Sequence, residues 1–449
     1  MPTQNDFMDS LPASTPRHEE RPDGMHADCD CGAEPVVADP WRRGFTRRRV
    51  LQGSTAMVAA LGTQVVTTRY AFGASKALDT DTVVVISMRG GWDGLSIVAP
   101  TFEDRYYKVR PNIAVPKAAG LPLARGFAFH PELKQLHALY RSGKVGVVHA
   151  VGTPDRTLSH FEAMDTCERG TAKPGTSDGW LNRVLQARGD DGVFSAVQMG
   201  GGSLPLSLFG DHPALAMGNV QSFGLMGFDD VKAKAASAFN ALYKGVKHPM
   251  ADQVRDTVAA IGRIGSLPQT PAATAKAYPQ GSGFASALQD IARLVKANLG
   301  MTIATLDVGG WDMHTNEGRI DGGDMRNHMV ELDAALGAFV ADLGAALANV
   351  TIVTLTEFGR TVSENGAIGT DHGHAFPMLV LGGGIKGGQV YGPWPGLDDK
   401  SLFINGSLAA RTDYRDVLGE VLTKRAKVGS FTRIFPDYKP KSLGLAVAR

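Results

Sequence analysis

Cysteine is nearly absent. The 449 residues contain three: Cys29 and Cys31 in the first polar tract, and Cys167 in the body of the chain. That scarcity excludes a disulfide-stapled fold. A lone C-x-C pair beside His26 and Asp28 also falls short of a zinc framework. An excess of one charge is missing too, with 46 Lys and Arg against 45 Asp and Glu. Setting aside the first 74 residues, with 8 Arg and 9 acids, leaves 38 against 36, so no basic surface for nucleic acid is encoded. The glycine runs Gly200-Gly201-Gly202 and Gly382-Gly383-Gly384 are followed neither by Gly-Lys-Ser/Thr nor by an opening helix, which removes phosphate-loop and dinucleotide readings. No apolar run is long and pure enough for a permanent membrane span.

What is present begins with an address. Thr46-Arg47-Arg48-Arg49-Val50-Leu51-Gln52, followed by a mildly apolar stretch from Met57 to Val66, matches the twin-arginine export pattern. It predicts delivery to the periplasm by the twin-arginine translocase, with cleavage near Ala71-Phe72-Gly73. Residues 1–41, polar and without apolar periodicity, are expected to be disordered, and 42–74 to be the signal. Residues 75–449 are expected to form one domain with a helical excursion at about 223–273. The twin-arginine route carries folded cargo, which suits a protein that takes up its metal before export.

Apolar runs alternate with helical patterns, which predicts an α/β fold with a mostly parallel central sheet and helices on both faces. Strands are expected at Thr82 to Met88, Lys144 to Gly152, Ser195 to Met199, Leu204 to Phe209, Thr302 to Val308, Val350 to Leu355 and Pro377 to Leu381. Helices are expected at Pro131 to Ser142, Ala233 to Tyr243, Val254 to Ile264, Phe284 to Asn298 and Met325 to Leu347.

Acid and histidine collect at the ends of these strands. Gly90-Gly91-Trp92-Asp93 follows the first, Gly309-Gly310-Trp311-Asp312-Met313-His314 follows Thr302 to Val308, and Thr356-Glu357-Phe358-Gly359-Arg360 follows Val350 to Leu355. Asp371-His372-Gly373-His374 leads into Pro377 to Leu381. Ligands bind at the carboxyl ends of parallel strands, so oxygen and imidazole donors gathered there point to a divalent metal: zinc, manganese, magnesium or calcium. The expected donors are Asp93, Asp312, His314, Glu357 and one of His372 and His374, the other histidine orienting a carboxylate or a substrate oxygen. Asp93 has a competing role as the cap of the turn that follows it. Trp311 serves as a cleft wall or as core, core being the commoner fate. Ser159, between the strand ending at Gly152 and an apparent helix, is the candidate nucleophile. With Glu162 three residues later it equally reads as an N-cap in a capping box.

Taken together, Val83 to Gly94, His130-Pro131-Glu132-Leu133, Ser159 to Asp165, Gly309 to Asn316, Thr356 to Thr361 and Asp371 to Ala375 resemble a bacterial family of exported proteins, the domain of unknown function 1501 family. That family belongs to the alkaline-phosphatase-like and sulfatase-like superfamily. The resemblance covers nearly all of the chain after the signal. It implies a central sheet with one or two metals at the strand ends and hydrolysis of phosphate or sulfate esters. Asp93 matches the superfamily's first-strand Asp, and Asp312 with His314 its Asp-with-His element. His372 or His374 matches its late His. Glu357-Phe358 stands where the superfamily usually has Asp-His, and no Cys/Ser-x-Pro-x-Arg sulfatase signature occurs. Two readings follow: a metal-dependent hydrolase of small anionic esters, with Ser159 attacking and Arg89 or Arg360 forking onto non-bridging oxygens, or a catalytically degenerate member acting as a periplasmic binding or assembly factor.

Overall fold

The computed structural model describes residues 81–448 apart from 174, 191 and 226–228. The expectations for 1–41, for the signal at 42–74, and for Cys29 and Cys31 lie outside the described residues. Nine strands form one sheet: β1 (Thr82–Met88), β2 (Val145–Gly152), β3 (Ala196–Met199), β4 (Leu215–Met217), β5 (Ile303–Val308), β6 (Val350–Leu355), β7 (Phe376–Gly382), β8 (Val390–Tyr391) and β9 (Thr412–Asp413). Their order is β8-β2-β7-β6-β1-β5-β3-β4, with β9 also on β2. All pairings are parallel except those of β7, which runs against both β2 and β6. The fold is therefore α/β with a mixed, mostly parallel sheet.

Every residue of β2, β6 and β7 is buried. Successive side chains point to opposite faces, so both faces of this part of the sheet are covered, which is why these strands read as unbroken apolar runs. One group of helices, α2 (Lys134–Arg141), α7 (Gly283–Lys296) and α8 (Asp324–Leu343), packs α2 on α8 and α7 on α8. Others are α1 (Gly94–Ile97), α3 (His160–Arg169), α4 (Trp180–Arg188) and α9 (Tyr414–Lys424), with the paired α5 (Asp229–Tyr243) and α6 (Pro249–Gly265) forming the helical excursion. None of the described helices is long and apolar enough to cross a membrane.

Two expected elements differ. Leu204 to Phe209 is not a strand but holds a short 3-10 turn at Leu206–Leu208. Pro205 lacks the N–H that a strand ladder needs and sets the entry to that turn, and the sheet continues instead with Leu215–Met217. The long helix predicted to Leu347 stops at Leu343, because Gly344 takes a left-handed φ of 52° and the chain tightens into a 3-10 segment before β6.

Candidate metal centre

Strand direction decides what can meet. β1, β2, β5 and β6 run parallel, so the loops after them leave the same sheet edge, and β7, running the other way, brings its amino end to that edge. Residues from five separate segments are thereby collected. The two Gly-Gly-Trp-Asp turns pack on each other: Trp92 and Trp311 are both fully buried, rings edge to face with centroids 5.6 Å apart. Such a pair is worth roughly 0.5–1.5 kcal/mol beyond its area. Trp311 is therefore core. Gly90, at φ 117°, passes so close to the second turn that a Cβ would stand 2.5 Å from the amide nitrogen of Asp312.

Around Asp312 stand three imidazoles, each with its Nδ1 placed against an oxygen. His160 Nδ1 is 2.8 Å from Oε1 of Glu357, His372 Nδ1 is 2.9 Å from the carbonyl of Leu158, and His314 Nδ1 is 3.0 Å from Oδ1 of Asp371. Those oxygens accept from Nδ1–H, so in the neutral tautomer each ring keeps its Nε2 lone pair free. The bare nitrogens converge. His160 Nε2 lies 3.1 Å from His372 Nε2 and 3.5 Å from Asp312 Oδ2, while His372 and His314 each place Nε2 3.2 Å from Asp312 Oδ1. Two lone pairs and a carboxylate facing one another repel unless a cation lies among them. Donors about 2.0–2.1 Å from a tetrahedral ion stand roughly 3.3–3.4 Å apart, close to the separations here. His160, Asp312 and His372 have donor atoms all within 4.8 Å of one another, and His314 joins this set through Asp312.

The surroundings hold these groups in place. Glu357 is buried; its Oε1 accepts from the Gly90 amide at 2.9 Å and from His160 Nδ1, and its Oε2 lies 3.0 Å from the Thr356 hydroxyl, whose proton is directed to the Met88 carbonyl. It acts by orienting His160. Phe358 is buried and supports both His160 and His372, each ring centroid 4.7 Å away. Burial and the charge of Arg360 keep the pKa of His372 below the ordinary histidine value, so it remains a neutral donor. Partial burial raises the Asp312 carboxyl, but the hydrogen bond and charge of Arg360 outweigh it and the net shift is downward. His314 and Asn365, donating to Asp371, keep that carboxyl low as well.

The other sequence-selected residues lie elsewhere or serve the protein itself. Asp93 accepts from the amides of Leu95 and Ser96 as the N-cap of α1, and its carboxylate is paired with the fully buried Arg110. Its oxygens are committed to that capping role. Arg360 donates to Asp312 at 2.7 Å and to the carbonyls of Gly90, Gly91, Trp311 and Thr370, leaving no open fork. Arg89 bridges Asp307 and Glu168. His374 Nε2 faces the Thr153 carbonyl at 3.2 Å and its ring lies against Phe403, away from Asp312. Ser159 occupies the N-cap position of α3 but makes no capping hydrogen bond, so its half-buried hydroxyl is not spent on the helix.

His160 is the member of this cluster that the sequence does not single out. Its signal was its place, the first residue of a helix entered from a strand end at the same edge, but the Ser before it and the Glu two residues after it drew attention to capping.

No curated protein matches the chain. The solved structures similar to it include the PsFucS1 sulfatase from Pseudoalteromonas sp., at 12% identity over 84% of this chain and 71% of that one, with a TM-score of 0.35. A protein in the alkaline phosphatase superfamily from Vibrio parahaemolyticus is 14% identical over 89% of this chain and 79% of that one, TM-score 0.33. The C-terminal periplasmic domain of EcEptC from Escherichia coli, in complex with Zn, is 11% identical over 71% and 77%, TM-score 0.32. The family described as "Protein of unknown function (DUF1501)" matches residues 142–418, and the chain belongs to that family.

Proposed function

We propose that this chain is an exported metal-dependent hydrolase of phosphate or sulfate esters. The observation that carries the reading is the convergence of the Nε2 atoms of His160, His314 and His372 on the Asp312 carboxylate at the sheet edge. His160, Asp312 and His372 would hold the ion, with His314 completing the set. A nitrogen-rich donor set of this kind suits zinc or manganese over magnesium or calcium. A divalent ion there supplies electrophilic stabilisation of charge on an ester's non-bridging oxygens. Glu357, Asp371 and the Leu158 carbonyl fix the imidazole tautomers, and Arg360 fixes Asp312. Ser159, with its hydroxyl uncommitted beside His160 at the start of α3, is assigned as the attacking group. Export rests on Arg47 and Arg48, and replacing both with Lys should leave precursor in the cytoplasm.

A second reading, a periplasmic binding or assembly factor that holds metal without turnover, is favoured by one fact: the guanidinium groups of Arg89 and Arg360 are both occupied by the protein. Elemental analysis of the purified protein, combined with a panel of phosphomonoester, phosphodiester and sulfate ester substrates, separates the two. Metal with turnover that Ser159→Ala abolishes supports the hydrolase. Metal without turnover on any ester selects the binding factor, and protein that neither contains nor takes up a divalent ion refutes both.

A further inference from the structure

The loop between β2 and α3 reaches the centre twice. It delivers His160 as the first residue of α3, and two residues earlier it delivers the carbonyl of Leu158, 2.9 Å from His372 Nδ1. One turn therefore carries one donor and sets the tautomer of another, and the Nε2 atoms of the two stand 3.1 Å apart. Leu158 does this from a left-handed backbone, at φ 57°. Outside glycine that region is tolerated chiefly by asparagine and aspartate, whose short polar side chains bond locally, and leucine has no such compensation. A conformation of this kind persists only where the surrounding structure enforces it.

The enforcement comes from two side chains outside the donor set. Asp155 Oδ1 accepts from the Thr157 amide at 3.0 Å and from the Thr157 hydroxyl at 2.9 Å. The same hydroxyl oxygen accepts from the Ser159 amide at 3.2 Å. The bond from Ser159 to Thr157 spans Leu158, and Asp155 fixes the hydroxyl that makes it. Neither amide is held by a backbone carbonyl among the described residues. Arg156, between Asp155 and Thr157, lies instead over the ring of Phe403, 5.6 Å from its centroid.

Resting on the metal reading above, we propose that Asp155 and Thr157 are positioning residues of the centre: they hold Leu158 left-handed so that its carbonyl stays on His372 Nδ1. When either side chain is removed, Leu158 relaxes toward extended backbone and His372 loses the acceptor that fixes its tautomer. Two measurements test this. Chelator competition with zinc reads affinity, and nitrogen-15 NMR of the metal-free protein reads which His372 nitrogen bears the proton. Asp155→Ala and Thr157→Val should each weaken zinc about tenfold, the lower end of what an orienting partner contributes, and move the His372 proton from Nδ1 toward Nε2. Asp155→Asn and Thr157→Ser keep the accepting oxygen and should retain most of the wild-type affinity. Leu158→Gly added to Asp155→Ala should recover roughly threefold or more, since glycine enters the left-handed region without penalty; a merely structural defect would not respond. Asp155 is half-buried and Thr157 exposed, and circular dichroism of each variant checks that the fold is kept. An Asp155→Ala variant that binds zinc like wild type, an Asp155→Asn variant that loses as much as Asp155→Ala, or a double variant no better than Asp155→Ala would each overturn the proposal. If wild type takes up no divalent ion but the proton shift appears, the metal reading falls and the hold on His372 stands. If neither Asp155→Ala nor Thr157→Val moves the His372 proton, that hold is refuted whatever the affinities.

Discussion

Replacing Glu357 with Gln isolates what a buried charge does for the centre. The amide oxygen can stay where Oε1 is, accepting from the Gly90 amide and His160 Nδ1, both within 2.9 Å. The new NH2 then faces the Thr356 hydroxyl, which can accept because its own proton is directed to the Met88 carbonyl at 2.7 Å. Every hydrogen bond survives and only the negative charge behind His160 is lost, so the fold should be unchanged. Carboxylate partners of ligating histidines typically carry about 10–100-fold in metal affinity, or about 1.4–2.7 kcal/mol. Competition against a chromogenic chelator measures this directly. Glu357→Ala should behave differently: it leaves the part-buried Gly90 amide and His160 Nδ1 without their acceptor, and so should lower stability even without metal, by about 1 kcal/mol or more. A Glu357→Gln variant with wild-type affinity would refute the role given to Glu357 and move the centre away from His160.

Three further outcomes are expected. His372→Ala should abolish stoichiometric metal binding, whereas His374→Ala should reduce stability and leave metal content unchanged, as elemental analysis of both variants will show. Asp93→Asn should cost about 3–5 kcal/mol in denaturant unfolding by leaving buried Arg110 short of its partner, with metal stoichiometry unaltered; loss of the metal instead would restore Asp93 as a ligand. Burial and the neighbouring Asp93 push the carboxyl of Glu317 up to about 8, so the folded state binds a proton that the unfolded chain releases near its ordinary value of about 4.3. This group's contribution is full below that lower value and is lost as pH rises through about 8; Glu317→Gln should flatten that slope in unfolding free energy measured across the range.

Much of the framework was legible because its signals are local. Thr82–Met88 and Val350–Leu355 stand where their apolar runs placed them, since strands buried on both faces need no partner information to be recognised. Asp312, His314, Glu357 and His372 were likewise marked by their position at strand ends. What the sequence hid depends on distant partners. Arg360 and Arg89 looked like free forks, yet Arg360 is spent on carbonyls as far as 270 residues away and Arg89 on Asp307, 218 residues away. Asp93 is claimed by Arg110, in a segment with no motif to announce it. His160 was hidden in a different way, since only the reversal of β7 shows that the start of α3 and the Asp371 to His374 turn face each other.

That reversal also sets an order of events. β7 lies between β2 and β6, pairing Leu379 with Val147 and Val380 with Val353, so its place in the sheet joins segments more than two hundred residues apart. Contacts of such high sequence separation form slowly and late, after the entropy of closing a long loop has been overcome. Until they form, His160 and His372 belong to remote parts of the chain, and no short stretch holds enough donors to capture an ion by itself. An ion at the proposed site would therefore not template folding as it does in a zinc finger; it would enter a finished cleft. On the proposed reading of metal binding and twin-arginine export, occupancy of this site would follow folding and so would report a finished fold before translocation.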